Sequence, residues 1–447
     1  MVVSRSCGPG RYDAEYEEHG HDYPIGYVRW TERRNMEAFL DFVARGTLDL
    51  SPLIKNRCRF EDAPEAVARL EEKGDYTVIL DYGHPSVAKV ARPVAVAAEP
   101  KQSRLRIGCI GAGMFARSEV IPRLRQMPGT TLQSLGTASG ISARSAQQAF
   151  GFQLLRQPTD VISATDTDAV FVLSRNDTHA RYVLEAVTLG KPVFVEKPLA
   201  VNQRELASIC EAYEAELDDG RSPFLMVGFN RRFSPASQQI RELFAHRREP
   251  MMAHIRVNAG YVPLNEWVQR PEQGGRLIGE LCHFLDWARW LIGCRIESVY
   301  ARASDNADRY NQDNVAVLAS FADGSVANLL YVANGDRALG KEFYEIFCEG
   351  AVAQLNDFAI LELIRDGKRR VRRCKRDKGH QRELELTVKA MREGTCSPIP
   401  FEEIVNVTEA SFAVLDSLRS GLPVSVEDGI SPVAETAQTQ PCLESPA

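Results

Sequence analysis

The chain has 447 residues, 44% hydrophobic and 26% charged, the balance of a soluble globular protein long enough for two or three domains. Its formal net charge of -6 argues against a nucleic-acid binder held by counterion release, which needs a broad positive surface. The opening MVVSRSCGPG lacks the apolar core of a secretory signal and no apolar run approaches a membrane span, so a cytoplasmic protein with no membrane partner is expected.

Residues 1–82 read as a small α/β extension. NMEAFLDFVARG has helical apolar spacing, APEAVARL reads as a short helix and TVILDY as a strand. This succession resembles the C-terminal end of medium-chain, zinc-type alcohol dehydrogenases, and proteins from polysaccharide-biosynthesis settings look similar to such a dehydrogenase fused to the module that follows here. The resemblance implies a non-catalytic fragment, because that module's glycine fingerprint is missing and His19, His21 and His84 lack the spacing and cysteine partners of a zinc site. A piece cut from a larger fold leaves apolar faces to cover, so it is expected to be a packing or oligomer extension, or to complement a separately encoded dehydrogenase module. The ten cysteines are scattered without a Cys-x-x-Cys pair, which suits reduced thiols and no metal. Gly83–Ser103, rich in Ala, Val and Pro without periodicity, reads as a linker.

Residues 104–227 alternate apolar strands (LRIGCIG, AVFVLS, PVFVEKP, FLMVGFN) with helical stretches (RYVLEAVTLG, RELASICEAYEAEL), the pattern of a parallel α/β sheet. In IGAGMFA, Gly111 and Gly113 with Ala116 match G-x-G-x-x-G/A after a strand and before a helix, with Met114 and Phe115 inside the same turn. Small residues let the backbone approach a pyrophosphate, whose charge is met by the helix N-terminus. The acid expected about 20 residues on, to hold a ribose 2'-hydroxyl, is absent. Thr137, Ala138 and Ser139 stand there with Arg144 nearby, so NADP is as plausible a cofactor as NAD, Arg144 reading equally well as a solvated helix residue.

Four segments, IGAGMFA, SRNDTHARYVLEAVTLGKPVFVEKPLA, VGFNRRFSPA and GGRLIGELCHFLDWARWLIG, together resemble the glucose-fructose oxidoreductase and inositol dehydrogenase family, Gfo/Idh/MocA, over roughly Arg104 to Val426. The resemblance implies a Rossmann domain followed by a sheet domain that often mediates oligomer contacts. It places Lys197 at the reacting hydroxyl with the nicotinamide close by, so that it is a cofactor ligand as well, Glu196 beside the nicotinamide ribose, and Ser174, Asn176 and His179 at the cofactor edge. Ser174 and Arg175 replace the Thr and Pro usual in that loop. A lysine ammonium suits its place because it favours the alkoxide-like charge that grows as hydride leaves.

In LIGELCHFLDWARWL, Leu277, Leu281, Phe284, Ala288 and Leu291 make an apolar stripe, and His283 falls off it in line with Glu280, Trp287 and Trp290, free to face a cleft. An imidazole with an ordinary pKa near 6.5 can take the hydroxyl proton at neutral pH. The family commonly has Asp four residues before this His; Gly279 stands there, and Glu280 points about 100° around the helix. Lys197, Glu280 and His283 are thus the expected substrate ligands, with Lys197 and His283 catalytic. Arg232 reads either as an anionic-substrate ligand or as a structural arginine.

Residues 228–427 change to strands joined by turns such as ADGS and RDGK, a mainly antiparallel open sheet with helices and the expected homo-oligomer surface. The basic run Arg365–Arg382 reads as an exposed edge hairpin rather than a nucleic-acid patch. Residues 428–447 read as a disordered tail. Together these features point to an NAD(P)-dependent oxidoreductase of a secondary hydroxyl or ketone on a sugar, cyclitol or nucleotide-linked sugar. The alternatives are a redox-neutral lyase or glycosidase of the same fold and a catalytically silent NAD(P)-binding protein.

Overall fold

The structure, a computed structural model, describes residues 9–10, 13–17, 21–54, 56–59, 62–63, 77–81, 104–304 and 309–426. The expected linker at 83–103, the tail at 428–447 and all of the APEAVARL helix but Ala63 lie outside the described residues. The chain divides into two compact units, Met1–Ala98 and Glu99–Ala447.

In the first unit the expected helix forms over Glu32–Ala44, and β1 (Asn56–Arg59) pairs in parallel with β2 (Val78–Asp81). No residue of the helix is buried, and Met36, Phe39, Leu40 and Phe42 are exposed.

The second unit opens with a six-stranded parallel sheet of β3 (Leu105–Ile110), β4 (Thr130–Gly136), β5 (Leu154–Arg156), β6 (Ala169–Val172), β7 (Val193–Val195) and β8 (Leu225–Val227). Its order, β5-β4-β3-β6-β7-β8, is that of a doubly wound Rossmann sheet. The four residues of β6 and the three of β7 are all buried, because helices cover both faces, which is why these strands read as unbroken apolar runs. The order reverses between β3 and β6, and the ends of those two strands flank the crevice where such sheets place ligands.

The second sheet has nine strands: β9 (Met252–Asn258), β10 (Ile296–Ala303), β11 (Val315–Phe321), β12 (Val326–Val332), β13 (Glu342–Cys348), β14 (Ala351–Asn356), β15 (Ile360–Arg365), β16 (Lys368–Arg373) and β17 (Val424–Ser425). They run β16-β15-β14-β13-β9-β12-β11-β10-β17, antiparallel throughout except for the parallel pair of β9 and β12. β11 buries alternate residues, as a strand with one covered face should. The RDGK turn closes β15 onto β16 with Asp366 and Gly367 both at positive φ (52° and 68°), the conformation a two-residue hairpin demands. All six residues of β16 are exposed at the sheet edge, where their charges discourage strand addition.

Candidate active site

The glycine turn leaves β3 at the reversal point. Gly111 has φ 96°, and a Cβ there would lie 2.5 Å from the carbonyl oxygen of Leu173, at the end of β6. Only glycine lets the two strand ends close in this way. A Cβ on Gly113 would meet nothing within 4 Å, so the backbone there is open to a ligand. Met114 and Phe115 are 87% and 43% exposed, and Ala116 begins a wide π turn, Ala116–Val120, that leads into the helix Ile121–Gln126. An open backbone cradle before a helix N-terminus fits a dinucleotide pyrophosphate.

At the end of β4, the Thr137 hydroxyl donates to the Ser139 carbonyl at 2.6 Å. Arg144, exposed on the helix Gly140–Phe150, lines a groove with Ser139, Gly140, Ser145, Gln148 and Leu155, a set without a carboxylate. None of these six groove-lining residues would repel a 2'-phosphate.

The loop after β6 is tied down on three sides. Ser174 and Thr178 share a hydrogen bond at 2.7 Å, Asn176 Nδ2 donates to the Gln273 carbonyl at 2.9 Å, and the Arg175 guanidinium lies 5.5 Å from the Trp267 ring centroid. His179, expected at the cofactor edge, instead is buried with both ring nitrogens on backbone carbonyls, Nδ1 at 2.8 Å from Pro198 and Nε2 at 3.2 Å from Ser174. A neutral imidazole can donate to one of them, and the shorter contact takes the proton. His179 is thus a brace between the β6 loop and the turn that carries Lys197, not a group free to touch a cofactor.

That turn follows β7. Glu196 is buried, and a Cβ on Gly228 would come within 3.0 Å of its carboxylate, so glycine at the end of β8 makes the space it occupies. Burial pushes the Glu196 pKa up to about 7 against the pull of the Lys197 charge. Lys197 turns into the cleft and its Nζ donates to the Gly279 carbonyl at 2.7 Å.

Gly279 lies in a second π turn, Leu277–Leu281, which runs into the helix Cys282–Ile292. The widened turn puts its carbonyl within reach of the ammonium, at the position where the family resemblance leads one to expect an Asp side chain. A Cβ on residue 279 would lie 3.3 Å from Asn176 Nδ2, a tight fit against the braced β6 loop. Glu280 accepts from Arg276 Nε at 3.2 Å and from Lys341 Nζ at 3.5 Å. Burial works against its charge, but Lys341, Arg276 and Lys197 outweigh it and hold the carboxyl below the usual range. Glu280 therefore stands among the site's cations as a carboxylate.

The expected one-sided stripe on this helix gives way to a helix buried on every side: all eleven residues from Cys282 to Ile292 are buried, Trp287 and Trp290 included. Its three polar residues, His283, Asp286 and Arg289, recur at every third position on one face and are buried with the rest, Asp286 paired with Arg232 and Arg289 with Glu403 at 3.3 Å. His283 is 8% exposed, and its Nδ1 has no hydrogen-bond partner among the described residues. Its pKa is not the ordinary one: burial, then the charges of Arg231, Lys197, His380 and Lys341, hold it well below 6.5. The ring is neutral at working pH with a nitrogen to spare.

The surroundings of Arg232 favour the structural reading of this arginine. It is 3% exposed and ion-paired with Asp286 of the His283 helix and with Glu403 at 2.7 Å, contacts that take three of its five N–H donors and balance its charge away from solvent. Its neighbour Arg231 is likewise buried, paired with Glu342 at 2.8 Å and set 4.8 Å from the Phe284 ring centroid. Sequence reasoning missed the Gly279 carbonyl, Arg231 and Lys341. All three reach the site through long-range pairing that no local spacing reports.

Comparison with known proteins agrees with this geometry. A family profile described as oxidoreductase family, NAD-binding Rossmann fold, GFO_IDH_MocA, matches residues 105–218, and the GFO/IDH/MocA C-terminal domain profile matches residues 238–353. Inositol 2-dehydrogenase 2 of Saccharopolyspora erythraea is 32% identical over 201 residues, 44% of this chain and 56% of that protein. Inositol 2-dehydrogenase 4 of the same organism is 30% identical over 258 residues, 56% of this chain and 73% of that protein. Among solved structures, an oxidoreductase domain protein from Kribbella flavida superposes with a TM-score of 0.65 at 20% identity, covering 73% of this chain and all of that one. A levoglucosan dehydrogenase in complex with NADH and L-sorbose gives 0.63 at 20%, with the same coverage.

Proposed function

The chain belongs to the Gfo/Idh/MocA oxidoreductase family, and on that premise we propose that it transfers hydride between a nicotinamide dinucleotide and a secondary hydroxyl, or the matching ketone, of a sugar, cyclitol or nucleotide-linked sugar. The observation that carries this reading is the 2.7 Å bond from Lys197 Nζ to the carbonyl of Gly279, which brings the ammonium to the turn that leads into His283. The chain spans 56% and 73% of the two inositol dehydrogenases it was compared with, and cyclitols head the substrate class on their account.

Gly111, Gly113, Met114, Phe115 and Ala116 hold the pyrophosphate side of the cofactor, Thr137, Ser139 and Arg144 its adenosine side, and Ser174, Asn176 and Glu196 its nicotinamide side. When bound, the nicotinamide accepts or returns the hydride. Lys197 donates to the reacting oxygen and lowers the cost of negative charge on it. His283, neutral through burial and its cationic neighbours, takes the hydroxyl proton during oxidation and returns it during reduction. Glu280, fixed as a carboxylate, accepts hydrogen bonds from a neighbouring hydroxyl.

Two further readings belong with this one. The uncovered face of the second sheet carries Met252, Leu318, Phe347, Ile360 and Val371, all exposed and in register on one side, which supports assembly of identical chains through that face. The exposed apolar side of the helix Glu32–Ala44 supports an extension that docks on a partner surface, a separately encoded dehydrogenase module among the candidates.

The test is to incubate the purified chain with NAD and with NADP against myo-inositol, scyllo-inositol, levoglucosan and nucleotide sugars, following 340 nm absorbance and product together. Reduced cofactor in step with ketone supports the reading. Product without absorbance change, or cofactor binding without product, contradicts it.

A further inference from the structure

We propose that His380 is a substrate ligand of this site, its imidazole hydrogen-bonding a hydroxyl of the polyol other than the one oxidised. The assignment rests on the oxidoreductase reading above and adds a residue that neither the fingerprint nor the Lys197 turn supplies.

The basic run Arg365–Arg382 is not one solvated hairpin. Its strand ends at Arg373, and the chain then leaves the sheet to start a helix, His380–Glu393, that packs on β3 and on the π turn of the glycine loop. The crossing is pinned at successive residues. The Gly379 amide donates to Asp377 Oδ1 at 2.8 Å, Lys378 Nζ meets Glu342 at 2.6 Å, and Asn230 Nδ2 donates to the Lys378 carbonyl at 2.7 Å. Gly379 has φ 92° and lies so tightly against the backbone of Asn230, Phe233 and Ser234 that no side chain could stand there. Lys378 and Asn230 thereby link the crossing to the Arg231–Glu342 pair that underlies the His283 helix.

What this scaffold presents is one imidazole. The His380 ring sits 5.7 Å from the Phe115 ring in the glycine loop, tilted by 56°, and close enough to His283 that a proton on one ring opposes a proton on the other. No group among the described residues hydrogen-bonds it. Burial lowers its pKa to about 4, with Arg123, Arg231 and Lys378 acting in the same sense and Glu119 opposing. A neutral imidazole offers one donor and one acceptor, as a hydroxyl does, and a ring fixed before the ligand arrives loses little freedom in binding it.

The experiment compares wild type with His380→Phe, which keeps the ring on Phe115 and loses both hydrogen-bonding nitrogens, and with His380→Asn and His380→Gln, whose amides match the reach of Nδ1 and Nε2. Thermal melts establish that each variant is folded, NADH affinity is read by fluorescence, and KM and kcat are measured on the polyol that wild type turns over. The expected result is a KM about tenfold higher in the Phe variant, the worth of one neutral hydrogen bond, with NADH affinity within about twofold and recovery in one of the two amides. An unchanged KM, an equal loss of NADH affinity, or failure of both amides to recover overturns the role of His380 and leaves Lys197 and His283 untouched. If wild type binds NADH and turns over no polyol, the oxidoreductase reading falls, and this assignment with it.

Discussion

The ammonium of Lys197 and the carbonyl of Gly279 meet at 2.7 Å across 82 positions of sequence. The contact joins the parallel sheet's β7 turn to the helix that carries His283, and it uses main chain at a place where the family resemblance leads one to expect a carboxylate. The carbonyl takes one of the three N–H donors of the ammonium and leaves two unspent by this contact.

Removing the Lys197 ammonium should slow chemistry while sparing cofactor binding. Lys197→Met is expected to lower kcat by about 10²–10³ and His283→Ala by about 10²–10⁴, the usual cost of losing an electrostatic stabiliser or a general base. NADH affinity, measured by fluorescence titration, should stay within about twofold in both. Equal loss of NADH binding and turnover would mean that these residues serve the cofactor alone.

The pH profile of alcohol oxidation should carry the mark of a depressed imidazole. His283 is held well below 6.5 by burial and by Arg231, Lys197, His380 and Lys341, so it stays deprotonated and competent as the pH falls through 6.5. In a Glu196→Gln background, which removes the carboxyl placed near 7, the acid limb of kcat/KM is expected below pH 6.5. Lys341→Ala, which removes one of the cations, should move that limb upward. A midpoint at or above 6.5 before that substitution contradicts the environment assigned to this ring.

Glu196 also sets a stability prediction. Its folded pKa, about 7, lies above the ordinary carboxyl value of 4.5, so folding favours the protonated form. The stability this confers is full below pH 4.5 and is lost as the pH rises through 7. Glu196→Gln should therefore change stability little at pH 5 and raise it at pH 8, by up to about 3 kcal/mol from the size of the shift. Urea denaturation at the two pH values checks it; a variant less stable than wild type at pH 8 would show that the ionised carboxylate is welcome where it lies.

Arg232 is expected to matter for folding rather than for substrate. Arg232→Met leaves the buried Asp286 and the half-buried Glu403 short of a partner, a change that costs about 3–5 kcal/mol when a buried ion pair is broken from one side. Chemical denaturation measures the loss, and KM per folded molecule should hold. A stable variant with a raised KM would return Arg232 to the substrate.

Much of the fold is legible in the sequence because its cause is local. Runs such as Ala169–Val172 are apolar because both faces of a parallel sheet are covered, and the IGAGMFA turn needs its glycines wherever strand ends close together. RDGK likewise announces a hairpin through the two positive φ values it supplies. The site is only half legible. Lys197 and His283 stand out by their motifs, but the π turn at Leu277–Leu281 alters the helical geometry on which the direction of Glu280 depends, and the polar face of Cys282–Ile292, His283 with Asp286 and Arg289, turns inward onto Arg232 and Glu403, partners that local spacing does not report. His179 has the right spacing for a cofactor contact and is spent on Pro198 instead, since a side chain's partner across the fold leaves no trace in its neighbours. Arg232 shows the same thing from the other side: whether an arginine is buried against carboxylates depends on Glu403, 171 residues away.

The most direct measurement is a crystal structure of the chain with NADH and a polyol that it oxidises. One substrate oxygen is expected within hydrogen-bonding distance of both Lys197 Nζ and a ring nitrogen of His283, with its carbon facing the nicotinamide. A polyol seated away from either group, or a nicotinamide ring bound elsewhere than beside the Lys197 turn, would contradict it.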